Sequence, residues 1–586
     1  MSEASTDADR RTRKRRRYSV AWLVLLSAIS FILLLVAVSS PGGPRRLSDW
    51  IAACLLIFVV SFGLSTGLIF LWFVMRWISR RANLKWMLLA GACLAALVAL
   101  FYAEEDWRGW RAWSQFKRNW ERQGGELSLA GVIPPAVPED QNFALAPVVY
   151  TSYGQILTRE GKLIPVEKRD AHLENRMRMD ITLNYPGPTN RAGDWARGTF
   201  TPLDVWQSYY RGLAGRTDAF PVSARAQSPA ADVLLALSQY NGVVEELRAA
   251  NRLPYSRFPV NYDCESPWGI YLPHLAALKS CAQVLRLRSV AELQNGQPDQ
   301  TLQDLQLGLQ LTEKIRTEPL LISHLVRAAM VQLMLQPIWE GLANHQWSDA
   351  QLAALEAELA KLDFASDWRL SMRGELTAFA DSVGVLRRHP DRLHELRTLS
   401  DFNGRKLLPY LPGPVVARLI PAGWFYQNLQ RGARAIQAYC LPVADAGTGT
   451  FSPATARRAG VVLAGESSGP YNVYVRCVLP VLADTVQKFA CAQAGADLAR
   501  TALALERCRL AVGSLPESLD ALAPQYIARV PHDVISGQAL KYRRDLDGRF
   551  TLYSVGWNEA DDGGVTALKE DGSADIERGD WVWRYP

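Results

Sequence analysis

The run Gly465-Glu466-Ser467-Ser468-Gly469 has the Gly-x-Ser-x-Gly spacing of a nucleophile elbow, the tight turn that lifts a serine hydroxyl out for attack on an acyl carbon. Val461–Ala464 just before it reads as the strand such an elbow requires. The elbow also needs a helix starting at the serine and a histidine late in the chain. Here Gly469-Pro470 follows the serines, and His532 is the one later histidine. A turn accounts for the pattern better than a hydrolase does. His389 and His394 lie five apart in RRHPDRLHEL with Pro390 between them, so they do not share the helix face that zinc ligands four apart use. A phosphate-binding Gly-rich loop and a His-Glu-x-x-His pair are both absent from the sequence. Cys264, Cys281, Cys440, Cys477, Cys491 and Cys508 suit either periplasmic disulfides or buried thiols, and without a Cys-x-x-Cys pair they support neither a redox motif nor a zinc ribbon.

The chain has 586 residues, 49% hydrophobic and 21% charged, with a mean hydropathy of -0.05. These values exclude a mostly disordered or collagen-like polymer, and the length implies about three to five folded units. The average hides a strongly apolar start. Seven basic side chains fill the eight positions Arg10–Arg17, and Val20–Val38, Ile51–Met75 and Trp86–Tyr102 follow as three apolar runs, the last at the lower limit for a crossing. The basic tail, and Arg76, Arg80, Arg81 and Lys85 between the second and third runs, outweigh Arg45 and Arg46 in the first loop. The positive-inside bias then places the N-terminus in the cytoplasm and residues 104–586 on the far side, the periplasm of a bacterium. Reading the third run as a core helix would reverse that outcome. A cleaved signal peptide is the alternative for the first run, which is longer than a signal's apolar region. The tail's seven basic residues exceed Glu3, Asp7 and Asp9 by four, more than half of the net charge of +7. Anionic inner-leaflet lipid accounts for it, and no nucleic acid is expected.

After the third run, DWRGWRAWSQFKRNWERQ repeats Trp107, Trp110, Trp113, Phe116 and Trp120 at helical spacing with Arg and Lys between. The stripe suits a helix lying along the membrane interface, with its rings at headgroup depth. A core-facing helix of the soluble region has the same pattern; either way this helix joins membrane and domain. Residues 124–229 read as irregular, with short strands at Ala146–Thr151 and Met179–Leu183. From 230 to 465 the pattern becomes an α-helical scaffold, with amphipathic helices at Asp232–Ala250, Leu272–Asn295, Gln300–Arg316, Leu320–Leu342 and Asp349–Leu362. Ser348 and Gln351 form a capping-box pair. Leu320–Leu342 is nearly apolar enough to span, but His324, Arg327 and Gln332 argue for a buried core helix.

Residues 466–586 predict a long helix, Tyr471–Ala511, ended by Gly513, then a short helical turn at Ser514–Leu519 and a hairpin of Lys541–Arg544 and Phe550–Val555 turning through Asp545–Gly548. Leu515-Pro516, Leu519, Leu522, Val530-Pro531-His532-Asp533, Ser536-Gly537, Leu540-Lys541-Tyr542, Phe550 and Tyr553-Ser554-Val555-Gly556 occur in order ahead of the Asp-Gly-rich loop Asn558–Gly564. This stretch, about 90 residues long, resembles the C-terminal half of the major pseudopilin of bacterial type II secretion systems. The resemblance implies a helix packed on a small antiparallel sheet and a calcium-binding loop, with Asp561 and Asp562 as ligands and Asn558 and Asp575 as further ones. A solvated Asp-Asp-Gly-Gly turn is the alternative. The pseudopilin leader, cleavage glycine and fifth-position glutamate are missing, so neither processing nor filament insertion is implied, and the fold does not bring the function with it.

The fold class expected is thus a membrane-anchored, mainly α chain: tail (1–17), three transmembrane helices (18–103), aromatic helix (104–123), irregular segment (124–229), helical scaffold (230–465) and a small α+β pseudopilin-like module (466–586). The function expected is a non-enzymatic scaffold or interaction protein of the cell envelope, with partners in the bilayer and among envelope proteins and a tie to secretion or surface assembly. A membrane-anchored periplasmic hydrolase and a calcium-responsive sensor are the alternatives.

Overall fold

The computed structural model describes residues 81–586 apart from several internal segments: chiefly 158–162, 166–176, 183–191 save Gly187, 263–268, 395–413, 466–468 and 546–547. Of the first 80 residues it describes Gly67, Phe70 and Val74 alone, so the first two apolar runs lie outside the described residues. The contacts divide the chain into two units, Met1–Glu104 and Glu105–Pro586.

The described part is mainly helical. α1 spans Arg81–Arg122, so the third apolar run and the aromatic stripe share one helix. Two described helices are long and apolar enough to cross a membrane, and they differ in burial: none of the most apolar window of Lys85–Arg122 is buried, against 67% for Leu321–Ala343. The second is a core helix, as its polar residues implied.

In the second unit, short helices α2 (Leu203–Leu213), α3 (Pro229–Leu237) and α4 (Asn241–Asn251) lead into α5 (Pro273–Gln294), α6 (Pro298–Glu313), α7 (Leu321–Ala343), α8 (Asp349–Leu359) and α9 (Phe364–Arg388). Local signals set several ends. Ser228 Oγ accepts the Ala231 N–H ahead of Pro229 at the start of α3, and the Ser348–Gln351 capping box forms in both directions. The single helix expected over Asp232–Ala250 breaks into α3 and α4. Ser238 Oγ donates to Leu235 O at 2.7 Å, and Tyr240 Oη donates to Asp180 O at 2.7 Å, so a 3₁₀ turn intervenes.

α10 (Ala422–Ala435) and α11 (Pro453–Gly465) precede α12 (Val473–Val512). The last, about 60 Å long at 1.5 Å per residue, packs on α7, α8, α9, α10 and α11 and on the C-terminal strands. Gly513 ends it in the left-handed conformation, φ 81°.

Among the described residues there are nine short strands: β1 (Gln155–Leu157) and β2 (Leu163–Pro165) form one hairpin, and β3 (Ala444–Asp445) and β4 (Thr450–Phe451) a second. β5 (Lys541–Arg544), β6 (Phe550–Ser554) and β9 (Trp581–Arg584) form an antiparallel sheet in the order β5-β6-β9, and β7 (Thr566–Leu568) pairs with β8 (Ala574–Gly579). Side chains from Phe116 to Trp583 share one hydrophobic core. The Trp583 and Trp195 rings meet tilted at 37° with centroids 5.1 Å apart, and Trp339 of α7 donates Nε1 to Arg584 O at 2.6 Å.

Three local expectations are corrected. Ala146–Thr151 is no strand; Pro147–Tyr150 is a helical turn. Met179–Thr182 is no strand either, and Met179 is buried. The turn placed at Ser514–Leu519 forms instead over Leu519–Leu522, because β5 side chains take the earlier carbonyls: Arg544 Nη1 donates to Leu515 O and Tyr542 Oη to Pro516 O, both at 2.9 Å.

The helical core encloses charge. Arg327 of α7 is fully buried and pairs with Asp367 of α9 and Glu313 of α6, its guanidinium 5.0 Å from the Phe364 ring. Removing one partner of a buried ion pair typically costs about 3–5 kcal/mol. Asp367→Ala should therefore lower the unfolding free energy by about that amount in denaturant titration. A loss below about 1 kcal/mol would mean that water reaches Arg327.

A second buried group titrates nearer neutrality. Burial, and then the neighbouring Asp304, push the Glu292 carboxyl up to about 7, against the pull of Arg288 and Arg248. A carboxyl with a raised folded pKa stabilises the fold below its unfolded value of 4.5 and loses that contribution as pH rises through about 7. Glu292→Gln should match the parent near pH 4.5 and exceed it near pH 8 in denaturant titrations, an advantage opening between those values.

Candidate functional site

In the second unit three chain segments converge on Glu105–Gly109. Gly109 of α1 and Gly423 of α10 cross so closely that a Cβ on Gly109 would lie 2.4 Å from Gly423 O, and one on Gly423 would lie 2.0 Å from Glu105 O. Only glycine at both positions allows this approach. Asp106 Oδ1 accepts the Gly423 N–H at 2.6 Å. Glu105, buried, accepts the Tyr471 Oη proton at 2.9 Å and pairs with Arg108, while Asn428 donates Nδ2 to Pro470 O at 2.7 Å. The start of α10 and the turn into α12 thus lock onto α1 at Glu105–Gly109.

The aromatic stripe divides at this crossing. Trp107 and Trp110 are 56% and 53% exposed, with the Arg111 guanidinium over the Trp107 ring at 5.2 Å. Phe116 and Trp120 are buried, and Trp113 is half-buried; these three stack in series at 5.7 and 6.3 Å, and Trp120 donates Nε1 to Glu126 O at 3.0 Å. One 3.6-residue period therefore serves two environments: the first two rings face outward and the last three join the core.

The Asp-Gly loop is organised by a residue the sequence reading passed over. Asp580, 1% exposed, accepts the Asp562 N–H and, at 2.7 Å, the Gly564 N–H. Burial raises its carboxyl pKa against those amide hydrogen bonds. Asp561 accepts from Tyr553 Oη at 3.0 Å and lies 3.2 Å from Lys541 Nζ; the Lys541 bond comes first among the causes that hold its carboxyl below the usual range. Asp562 accepts from Asn558 Nδ2 at 2.8 Å, and Asp575, on β8, accepts the Glu577 N–H at 3.0 Å. A cation at Asp561 would have to displace Lys541. Among the described residues no three His, Cys, Asp or Glu side chains converge as a metal site. Upstream, buried Asp533 accepts from Ile535 N, Ser554 Oγ and Val555 N at 2.8–3.0 Å. The Val530–Gly537 turn is thereby tied to the end of β6, so these motif positions act as structural ties.

The remaining candidates do not assemble. Val461–Ala464 lies in α11 rather than a strand, so the elbow lacks its lead-in; Ser467 is outside the described residues. His532 lines a cleft of about 610 Å³ with Asp445, Ser452 and Ser536, and its Nε2 has no hydrogen-bond partner among the described residues. His389 and His394 are exposed. Cys93, Cys281, Cys440, Cys491 and Cys508 are free thiols, and burial pushes the Cys281, Cys440 and Cys491 thiols up to about 12, which makes them poor nucleophiles. Comparison with known proteins finds no family model, curated protein or solved structure that matches the chain.

The glycine crossing leads to a test. Gly423→Val should force α1 and α10 apart and lower stability by about 1–3 kcal/mol, the usual cost of overpacking. Limited proteolysis should then cut at Asp106–Arg111 faster than in the parent. Unchanged digestion would show that the crossing does not hold this end.

Proposed function

We propose that the chain is a membrane-anchored, non-enzymatic scaffold of the bacterial envelope, with its N-terminus in the cytoplasm and residues 104–586 in the periplasm, where they meet other envelope proteins. One observation carries the reading. Among the described residues none of the most apolar window of α1 is buried, and from Glu105 onward the same helix belongs to the second unit, where Glu105 and Asp106 bond Tyr471 and Gly423 and Gly109 meets Gly423 closely. A helix that long and apolar, with that window exposed, suits lipid. The charge asymmetry of the flanks supplies the orientation. The ordered motifs ahead of the Asp-Gly loop support a pseudopilin-like C-terminal module. Its ties through Asp533 and Tyr542 give those motifs a packing role, which suits a module kept for shape and contact in secretion or surface assembly.

The test is fractionation with protease protection in a Gram-negative host. The full chain carrying a C-terminal tag should stay in the membrane pellet after alkaline carbonate extraction, and protease added to spheroplasts should remove the tag. Extraction into the supernatant would end the anchor reading. A pelleted protein whose tag is cut only after the inner membrane is lysed would reverse the topology.

A further inference from the structure

Gly423 is fixed against Glu105 and Asp106, so the residues just before it lie at the same end of the second unit as Trp107 and Trp110. Those residues are the short helix Pro414–Ala417 and its exit, Arg418–Pro421. They expose Val416 at 56% and Leu419 at 64%, a large apolar exposure for a chain with a well-filled core. The turn Pro390–His394 packs on this short helix. Arg108 and Arg111 of α1, Arg388 just before the Pro390–His394 turn and Arg418 beside Leu419 are exposed. Of the acidic groups in these segments, Glu105 pairs with Arg108 and Asp106 accepts from the Gly423 amide.

We infer that this end of the second unit, Trp107 and Trp110 together with Val416 and Leu419, seats in the headgroup layer of an anionic bilayer. The inference rests on the anchored reading above. Lipid is the occupant that this page favours for two reasons. The patch begins within five residues of Tyr102, where the third apolar run ends, so any span formed by that run delivers the patch to the membrane surface by covalent continuity. Its composition, aromatic and aliphatic side chains with exposed arginines in the same segments, is the one that partitions at headgroup depth and draws anionic phosphates. Leu419 and Val416 come from a segment some 300 residues away in sequence, so they act as a second foot beside the helix. Two feet fix the tilt of the domain where one helix would leave it free to swivel.

The experiment places an environment-sensitive fluorophore on Leu419→Cys in the full chain, reconstituted in nanodiscs of phosphatidylcholine with or without phosphatidylglycerol; the parent protein treated with the same dye supplies the background. Val512→Cys is the control, because Val512 is 66% exposed at the opposite end of α12, about 60 Å away. Nitroxide-bearing lipids should quench the Leu419 probe at least twofold more than the Val512 probe. Phosphatidylglycerol should strengthen the quenching, and Arg111→Glu with Arg418→Glu should remove that gain. Equal, weak quenching at both positions in protein that co-elutes with the discs would overturn the inference and leave the anchor intact. Failure to co-elute would instead strike the anchor reading. A blue shift of the Leu419 probe that rises with protein concentration in detergent alone would assign the patch to a second copy of the chain and also overturn it.

Discussion

A fully buried arginine constrains most of the helical domain. Arg327 cannot be left unpaired in a low-dielectric interior, so Glu313 on α6 and Asp367 on α9 must both come to α7. The loop from α6 to α7 is fastened beside it. Glu318 accepts from Ser323 Oγ and lies 2.7 Å from His274 Nε2 of α5, while His324 Nε2 lies 2.8 Å from Glu318 O. Glu375 of α9 accepts the Leu321 N–H at 3.1 Å, and Gly374 brings its backbone so close that a Cβ would meet Pro319 O at 1.5 Å. Four helices are thus tied to one another by buried polar groups, and apolar packing fills the space between them.

That frame makes α12 the common surface. It packs on α7, α8 and α9 along one side and on the C-terminal sheet along another, so the helix that the pseudopilin resemblance assigns to a small terminal module also serves as a strut of the helical block. Arg500 reaches Glu356 of α8, and Arg507 reaches Asp349. Sharing one helix gives the two parts one core, and just before α12 Tyr471 meets Glu105 and Arg108.

How much of this was legible follows from the range of each interaction. Helix positions in the scaffold came from hydrophobic period and caps, which act within a few residues: Ser348 and Gln351, Asn295-Gly296 and Gly513 all behave as their types demand. The hairpin of β5 and β6 was readable for the same reason. Reading failed where a distant group captured the backbone. Leu515 and Pro516 lost their turn to Arg544 and Tyr542, and Ala146–Thr151 offered a strand pattern where Pro147–Tyr150 forms a helical turn. At the candidate site, the aromatic period was visible but its division was not, because which rings face outward depends on Gly423, more than 300 residues away. Asp580 went unnoticed because nothing in its neighbours marks it as the acceptor for the Asp562 and Gly564 amides.

By itself, then, the sequence determined what depends on composition and short spacing: an apolar, arginine-flanked start, a helical middle with its caps, an alternating C-terminal hairpin and the aromatic repeat after the third apolar run. Those are properties of nearest neighbours and of how a side chain partitions between water and apolar surroundings. The tertiary structure alone decided which charges are paired inside, that α12 serves two layers, that Gly109 and Gly423 cross, and that Val416 and Leu419 stay exposed. Each depends on atoms brought together by chain closure over tens to hundreds of residues, and a linear pattern carries no record of which of many compatible partners will fill the space.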